Sequence, residues 1–228
     1  MNSSFPKAGL LALFLGFVPA ADAATVTFSN NTVASIPDGS SSGLASVINI
    51  AGNSESVVSA EVSLQIQAAP GEEAFIGDLY VYLSNGTDKA VLINRLGRTS
   101  TAPGGYGDNQ SINVTFSSTG DPNIHNYRVA LGGTPSTPLT GPLTGTWLPD
   151  GRDIDPALVL DTDASTAGLD VFADAAVSGD WTLFVADLST GAQHQIVSWT
   201  LTLETVPEPS TLLLGLGALP LMARRRRN

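Results

Sequence analysis

Apolar and polar residues alternate with a period of two along much of the chain. Val58, Ala60, Val62, Leu64 and Ile66 are separated by small polar or charged residues, which predicts a half-buried β-strand. A helical period is almost absent. Three further segments show the same alternation and predict strands of antiparallel sheets: Ile112-Val114-Phe116, Trp181-Leu183-Val185 and Val197-Trp199-Leu201-Leu203.

Turn-forming residues separate the predicted strands. Asn85-Gly86 lies between LYVYL (79–83) and AVLI (90–93), and this dipeptide accepts the positive φ angles of a tight hairpin, so the two segments are predicted to pair. Stretches rich in Gly, Pro, Asn and Ser, such as residues 101–110, predict long loops. We therefore predict one all-β domain over residues 25–205, an antiparallel jelly-roll-like β-sandwich.

Six segments also follow one another in a characteristic order: SIPDGSSSG (35–43), VSAEVSLQI (58–66), GDLYVYLSNGT (77–87), VLINRLG (91–97), SGDWTLFVADLSTG (178–191) and VSWTLTL (197–203). Together they resemble the P domain of proprotein convertases, also called the Homo B domain. The resemblance extends from about Ile36 to Leu203 and implies a jelly-roll sandwich of about eight strands. In that family the domain follows a subtilisin-like protease and helps it to fold, whereas this sequence contains no protease-like region.

The first 23 residues have the features of a secretory signal peptide. Lys7 precedes an apolar run, residues 8–20, and Ala21-Asp22-Ala23 supplies the small residues of a cleavage site. We therefore expect residues 1–23 to be removed on export. Export makes disulfides available, but the sequence contains no cysteine, so its stability must come from a hydrophobic core.

The end of the sequence, VPEPSTLLLGLGALPLMARRRRN (206–228), has three parts. Pro207, Glu208 and Pro209 should end the folded domain near Thr205, because proline is excluded from regular helices and central strands. The apolar residues 211–223 would measure about 20 Å as a helix, less than the roughly 30 Å of membrane hydrocarbon. The positive-inside rule predicts that the last basic cluster stays on the cytoplasmic side. This cluster consists of Arg224, Arg225, Arg226 and Arg227.

The three-part arrangement closely resembles the PEP-CTERM sorting signal of Gram-negative bacteria. The resemblance implies that an exosortase recognises Pro207-Glu208-Pro209 while the protein is held transiently in the inner membrane. Cleavage there would release the mature protein to the cell surface or the extracellular space. Pro220 and the short apolar segment disfavour permanent anchoring, although a plain tail anchor is the alternative that hydropathy allows.

The predicted mature protein is strongly acidic. The full sequence contains 10 basic and 21 acidic residues. Residues 25–208 contain 5 of the basic residues and 20 of the acidic residues, which gives this segment a net charge of −15. Such a surface repels nucleic acids and anionic lipids, so we expect no nucleic-acid partner. Divalent cations are its natural counterions.

The loop WLPDGRDIDPALVLDTDAS (147–165) is the strongest candidate for a metal site. Asp150, Asp153 and Asp155 lie within six residues, and their oxygens could together bind a hard cation such as Ca²⁺. The loop lacks the ligand spacing and the closing Glu of an EF-hand. A metal-free loop that is kept soluble by its acidic residues is therefore the alternative.

The sequence offers no catalytic constellation, and we predict that the protein is not an enzyme. His125 and His194 are the only histidines, there is no cysteine, and no GxSxG motif is present. Both histidines lie in turn-like segments and are interpreted as solvated loop residues. Asp78 and Asp187 match recurrent acidic positions of the P-domain pattern and are interpreted as acceptors that fix turns at strand ends.

PEP-CTERM proteins occur in bacteria that produce exopolysaccharide, so the resemblance implies an exported, non-catalytic protein with a structural or adhesive role in an exopolysaccharide-associated matrix. Two alternatives stay open. In one, the sandwich is a carbohydrate-binding module whose Tyr106, Tyr127 and Trp147 stack on sugars, although these rings could equally fill the ends of the core. In the other, it is a P-domain partner of a subtilisin-like protease that acts in trans.

Overall fold

The computed structural model describes residues 23–207. The predicted signal peptide, apart from Ala23, and the sorting signal from Glu208 onward lie outside the described residues. Within residues 23–207, no helix is both long enough and apolar enough to cross a membrane. This part of the chain is built mainly of β-strands, with four short helical turns between them: Ile76–Asp78, Ile124–Asn126, Tyr127–Ala130 and Leu169–Phe172.

Ten strands in the described chain form two sheets. Sheet A has the strand order β1-β10-β4-β7-β8, and β2 pairs with the start of β10; sheet B has the order β3-β9-β5-β6. The strands are β1 (Ala24–Asn30), β2 (Ala34–Ser35), β3 (Ser40–Ile50), β4 (Glu55–Ala68), β5 (Leu79–Ser84), β6 (Lys89–Asn94), β7 (Ile112–Ser117), β8 (Leu143–Trp147), β9 (Gly179–Asp187) and β10 (His194–Pro207).

Strands that are neighbours in space are mostly distant in sequence, as in a jelly roll. The last strand, β10, lies between β1 and β4, and β9 lies between β3 and β5. The inward faces of both sheets contribute to one hydrophobic core. The predicted all-β, jelly-roll-like sandwich is therefore confirmed.

Two tryptophans lie at the centre of this core. Trp181 on β9 and Trp199 on β10 are both almost completely buried. The Trp181 indole donates to Val177 O over 3.0 Å, and the Trp199 indole donates to Ser46 Oγ over 2.9 Å. Because each N–H has a partner, the large apolar rings are buried without an unsatisfied donor.

The predicted hairpin between β5 and β6 is also confirmed. The two strands are antiparallel neighbours, with Ser84 opposite Lys89. Asn85 Oδ1 accepts hydrogen bonds from the backbone amides of Thr87 and Asp88, at 3.0 and 2.7 Å. Gly86 has φ = 90°, which explains why the turn requires glycine at this position.

Two β-bulges displace residues that the alternation places in the core. On β4 the register with β10 skips Val58, so Val57 is buried and Val58 is 47% exposed. On β10 it skips Val197, so Ile196 is buried and Val197 is only partly so. The prediction that Val58 and Val197 face the core is therefore wrong, because one extra residue shifts the alternation of a strand by one position.

One strand pair departs from the predicted antiparallel arrangement. Strand β8 pairs with β7 in parallel, with Ile112 opposite Leu143 and Phe116 opposite Trp147. The connection between them, residues 118–142, contains the turns at 124–130 and is long enough to return the chain to the same end of the sheet. No alternating run marks β8, because Gly145 interrupts its short sequence.

Candidate functional site

The candidate site is built around residues 94–98, the end of β6 and the turn that follows it, which we call the hub turn. Arg98 N donates to Arg95 O over 2.9 Å and closes the turn. Arg95 has φ = 50° and Gly97 has φ = 73°. A left-handed conformation is uncommon at arginine and persists only where surrounding contacts fix the backbone. The backbone conformation at Arg95 is thus set by the local fold.

Asn94 and Asp150 join the hub turn to the aspartate-rich loop 147–165, which we call the acidic loop. The Asp150 carboxylate is fully buried and accepts hydrogen bonds from Asn94 N at 3.2 Å and Arg152 Nη1 at 3.0 Å. The Asn94 side chain donates to the carbonyls of Arg152 and Ile154, each over 2.9 Å. Because a buried carboxylate needs donors, these bonds hold the acidic loop against β6.

His125 is the third member of this buried network. Its Nδ1 donates to Asp150 Oδ2 over 2.7 Å, and its Nε2 faces Arg98 O at 3.3 Å. The side chain is completely buried. The interpretation of His125 as a solvated loop residue is therefore wrong, because the acidic loop covers the turn and Ile124 N donates to Leu148 O over 3.1 Å.

His194 forms a second buried pair. It is the first residue of β10, and its Nδ1 donates over 2.6 Å to Oδ2 of Asp187, the last residue of β9. His194 is 2% exposed, so its interpretation as a solvated residue is also wrong. Asp187 Oδ1 accepts from Ser189 N at 3.3 Å, which agrees with the predicted turn-fixing role.

Neither His–Asp pair has the geometry of a hydrolytic triad. A triad needs a hydroxyl or thiol within hydrogen-bond distance of the second ring nitrogen. His125 Nε2 faces a backbone carbonyl, and His194 Nε2 is buried without a hydrogen-bond partner among the described residues. In this arrangement the two pairs join strands and loops across the fold.

The structure does not bring the three predicted calcium ligands together. Asp150 lies in the buried network, Asp153 Oδ1 accepts from Lys89 Nζ over 2.6 Å, and Asp155 Oδ1 accepts from Ala157 N over 2.8 Å. Within residues 23–207, no group of three or more His, Cys, Asp or Glu side chains is arranged to hold a metal ion. Each carboxylate already satisfies a different donor.

The three predicted sugar-stacking residues, Tyr106, Tyr127 and Trp147, are buried, with 5%, 0% and 3% of their surfaces exposed. Tyr106 packs edge-to-face on Tyr127, with ring centroids 5.0 Å apart, and the Arg128 guanidinium lies 4.3 Å from the Tyr106 ring. The Trp147 indole donates to Thr144 O over 3.0 Å. The structure therefore favours the alternative in which these rings fill the end of the core.

A buried carboxylate, Asp108, organises the same end of the sandwich. It accepts from Arg128 Nε at 2.8 Å, Arg128 Nη2 at 2.7 Å, Leu139 N at 2.9 Å and the Tyr127 hydroxyl. Burial by itself raises the pKa of Asp108, but these donors outweigh it and hold the pKa below its ordinary value. Burial, and then the Asp108 carboxylate, hold the pKa of Tyr127 well above its usual range.

Three other aromatic rings lie on the outer face of sheet B. Tyr82 and Phe184 occupy opposite positions on β5 and β9, with ring centroids 4.7 Å apart and planes within 17° of parallel. Tyr80 lies 5.7 Å from Tyr82. All three are half-buried, and Tyr82 and Phe184 cover each other's faces, so these two rings do not form a flat stacking surface.

The outer face of sheet A carries an uncharged row of hydroxyl side chains, which we call the hydroxyl row. Its members occupy mutually opposite positions on five adjacent strands, and none is fully buried. Hydrogen bonds of 2.9 Å join Ser29 to Thr200 and Ser63 to Thr115. The row consists of Ser29 on β1, Thr200 on β10, Ser63 on β4, Thr115 on β7 and Thr146 on β8.

The predicted sorting residues lie at or beyond the end of β10. Pro207 is the last residue of that strand and lies opposite Glu55 on β4. Strand β1 pairs with β10 only as far as Thr205, so no neighbour on that side needs an N–H from Pro207. Glu208, Pro209 and the four arginines from Arg224 to Arg227 lie outside the described residues.

Comparison with known proteins gives no family. No family model matches the chain, and no curated protein matches it. Among solved structures, the complex of the Aeromonas sobria serine protease with its chaperone ORF2 aligns with a TM-score of 0.40 and 13% sequence identity, over 83% of this chain and 28% of that one. A likeness this weak decides neither family nor function. The resemblances to the P domain and to the PEP-CTERM signal stay predictions from the sequence.

Proposed function

We propose that the protein is an exported, non-catalytic component of an extracellular polysaccharide matrix, and that its β-sandwich adheres to neutral polysaccharide. The observation that carries the proposal is the hydroxyl row, which crosses all five main strands of sheet A without a charged residue. An exosortase is the expected processing partner.

The chemistry of the hydroxyl row matches that of a neutral sugar chain. Adjacent strands are about 4.8 Å apart, so five side chains cover about 19 Å, enough to contact several sugar units in succession. A hydroxyl group offers one donor and two acceptor sites, so residues such as Ser63 and Thr115 keep bonding capacity after they pair with each other. The acidic surface disfavours anionic polymers.

The buried state of both histidines supports a non-catalytic role. His125 and His194 are 0% and 2% exposed, and each is bonded through Nδ1 to a buried aspartate. Neither is available to a substrate as a general base. The signal peptide and the sorting signal that the sequence predicts support export and processing at the membrane.

Binding is tested with the mature protein, purified from host culture, by co-sedimentation with insoluble neutral polysaccharide from the host matrix. The triple variant Thr200→Val, Ser63→Ala, Thr115→Val removes the centre of the row and keeps residues that suit a strand surface. Its binding should fall at least about five-fold, since several hydrogen bonds are lost. The matched control is Thr182→Val on the outer face of sheet B, which should bind like the wild type.

Equal binding by the triple variant and the wild type would refute adhesion through this face. Processing is tested separately, by intact mass of the protein from the host and from a strain without exosortase. A form that ends near Pro207 in the host, and a membrane form that retains Arg224–Arg227 in the deletion strain, are the expected results. One unprocessed form in both strains would instead indicate a plain tail anchor.

A further inference from the structure

A cleft of about 390 Å³ lies beside the hub turn and has no part in the proposed adhesion. Two of its lining residues, Arg95 and Arg98, belong to the hub turn. Ser41, at the start of β3, also lines the cleft. Most of the remaining lining is apolar and comes from Pro103, Pro156, Ala157 and Leu188. The cleft thus combines two guanidinium groups with an apolar surface.

The charges of these two arginines are poorly matched by carboxylates. The other three cationic residues in the described chain each contact a carboxylate closely: Lys89 with Asp153 at 2.6 Å, Arg128 with Asp108 at 2.7 Å and Arg152 with Asp150 at 3.0 Å. Arg95 comes no nearer than 3.9 Å to Asp78. Within residues 23–207, no carboxylate lies within 4.0 Å of Arg98, although this part of the chain contains 19 of the 21 acidic residues, all but Asp22 and Glu208.

Arg95 is held in place with unused donor capacity. Its Nε is buried and has no hydrogen-bond partner among the described residues. Its Nη1 lies 3.5 Å from Ser189 Oγ, and its Nη2 lies 3.4 Å from Pro103 O and 3.5 Å from Gly104 O, so all three contacts are long. Because these contacts of Nη1 and Nη2 are long, an acceptor supplied by a ligand would form stronger hydrogen bonds with the two terminal nitrogens.

Arg98 is anchored by neutral acceptors. Its Nε donates to Pro103 O and its Nη1 to Val159 O, both over 3.1 Å, and its Nη2 donates to Ala157 O. Each terminal nitrogen keeps a second hydrogen for another acceptor. The carbonyls orient the guanidinium but leave its charge without a counterion.

The electrostatics agree with this geometry. Burial lowers the pKa of Arg95; Asp78 opposes the change, and the neighbouring charge of Arg98 adds to it. Two partly buried like charges therefore repel each other across the cleft. An anion between them would relieve the repulsion.

We propose that the cleft binds a ligand that carries a single carboxylate group beside an apolar body. Guanidinium groups bind carboxylates through paired, charge-assisted hydrogen bonds. The lining residues Pro156 and Ala157 are flanked in the sequence by two exposed apolar residues, Leu158 and Ile154, which are 68% and 40% exposed. Asp155 also lines the cleft, and the domain is acidic, so a polymer with many carboxylates is disfavoured.

Two small acids with uncharged matches test the proposal by NMR titration of the mature protein. Acetyl-leucine is compared with its amide, and the methyl glycoside of glucuronic acid with that of glucose. At least one acid should bind with a Kd on the order of 1 mM and at least about ten-fold more tightly than its match. Binding of acetyl-leucine would indicate that the natural carboxylate belongs to a peptide terminus. Binding of the glucuronic acid glycoside would indicate that it belongs to an acidic sugar.

Three variants test whether the acid binds inside the cleft. Arg98→Gln should weaken the binding of the acid at least about ten-fold, whereas Lys89→Gln removes an equal charge outside the cleft and should leave it unchanged. Ser41→Phe should block the cleft without removing either arginine, which covers the case that Arg98→Gln fails to fold. A further variant, Asp155→Asn, should strengthen binding by about two-fold or more, because a like charge is removed.

The proposal is overturned if neither acid binds more tightly than its uncharged match, or if binding survives both Arg98→Gln and Ser41→Phe. The hydroxyl row lies on the outer face of sheet A, so its triple variant should bind these acids normally. Failure of polysaccharide adhesion and failure of carboxylate binding are therefore distinguishable.

Discussion

His125 Nδ1 lies 2.7 Å from Asp150 Oδ2, and both side chains are completely buried. Asp150 also accepts hydrogen bonds from Asn94 and Arg152, so a single carboxylate connects the turn at 124–126, the end of β6 and the acidic loop. The loss of this interior carboxylate would leave three donors without their acceptor, so the stability of the fold should depend on Asp150.

Asp150→Asn should destabilise the protein by about 3–5 kcal/mol, because it leaves the buried Arg152 without its counterion. Asp153→Asn, which breaks the exposed pair with Lys89, should cost less than about 1 kcal/mol. The free energy of unfolding is measured by chemical denaturation, in EDTA and in excess Ca²⁺. If Ca²⁺ stabilised the wild type and its effect disappeared in both variants, the acidic loop would be a calcium site and the metal-free network around Asp150 would be refuted.

Asp108 should make the protein sensitive to acid. Its pKa is held below the ordinary value of 3.8, so it contributes stability above that pH, and this contribution is lost as pH falls through the lower, folded-state pKa. Unfolding free energies measured between pH 7 and pH 2 should therefore show a decline below about pH 4. In Asp108→Asn the protein should be less stable at neutral pH and the decline shallower. An unchanged slope would show that other carboxylates cause the acid lability.

The bulge on β4 predicts different effects for two adjacent valines. Val57→Ala should cost about 1.5–3 kcal/mol, because buried methyl groups are removed from the core. Val58→Ala should change stability by less than about 0.5 kcal/mol, because this side chain faces solvent. Thermal and chemical unfolding of both variants decides between the two registers. The reverse order of the two effects would place Val58 in the core, as simple alternation suggests.

Gly97 in the hub turn should not tolerate alanine. Its φ of 73° is unfavourable for other residues, and a Cβ at this position would lie 2.3 Å from the ring of Tyr106. We expect Gly97→Ala to cost about 2–4 kcal/mol, from backbone strain and overpacking together. Gly104→Ala is the control, since a Cβ there meets no atom within 4 Å, and it should be nearly neutral. Equal stability of the two variants would mean that the hub turn relaxes easily.

The hairpin and the buried strands could be predicted from the sequence because their signals are local. Alternation at Ile112-Val114-Phe116 and the Asn85-Gly86 turn depend on residues a few positions apart, and the structure confirms both. The bulges at Val58 and Val197 could not be predicted in this way. A bulge is defined by the register against a partner strand, and β4 and β10 are far apart in the sequence.

The candidate sites were harder to predict because similar residues can have opposite environments. The sequence places Tyr106 and Trp147 in predicted loops, yet packing in the folded protein buries both side chains. The aspartates at 150, 153 and 155 look equivalent, but only the first lies in the interior. The segment VLINRLG (91–97) carries part of the P-domain resemblance, but no local pattern indicates that Arg95 and Arg98 line a cleft without close carboxylate partners.

The sequence by itself determined the fold class, the core tryptophans and the hairpin, because period-two alternation and turn chemistry act between neighbouring residues. Only the tertiary structure decided which polar groups meet. Asn94 and Asp150 are separated by 56 positions, and the hydroxyl row joins residues from five strands across 171 positions between Ser29 and Thr200. Such contacts depend on strand order and register, which follow from packing the whole core at once and not from any one segment.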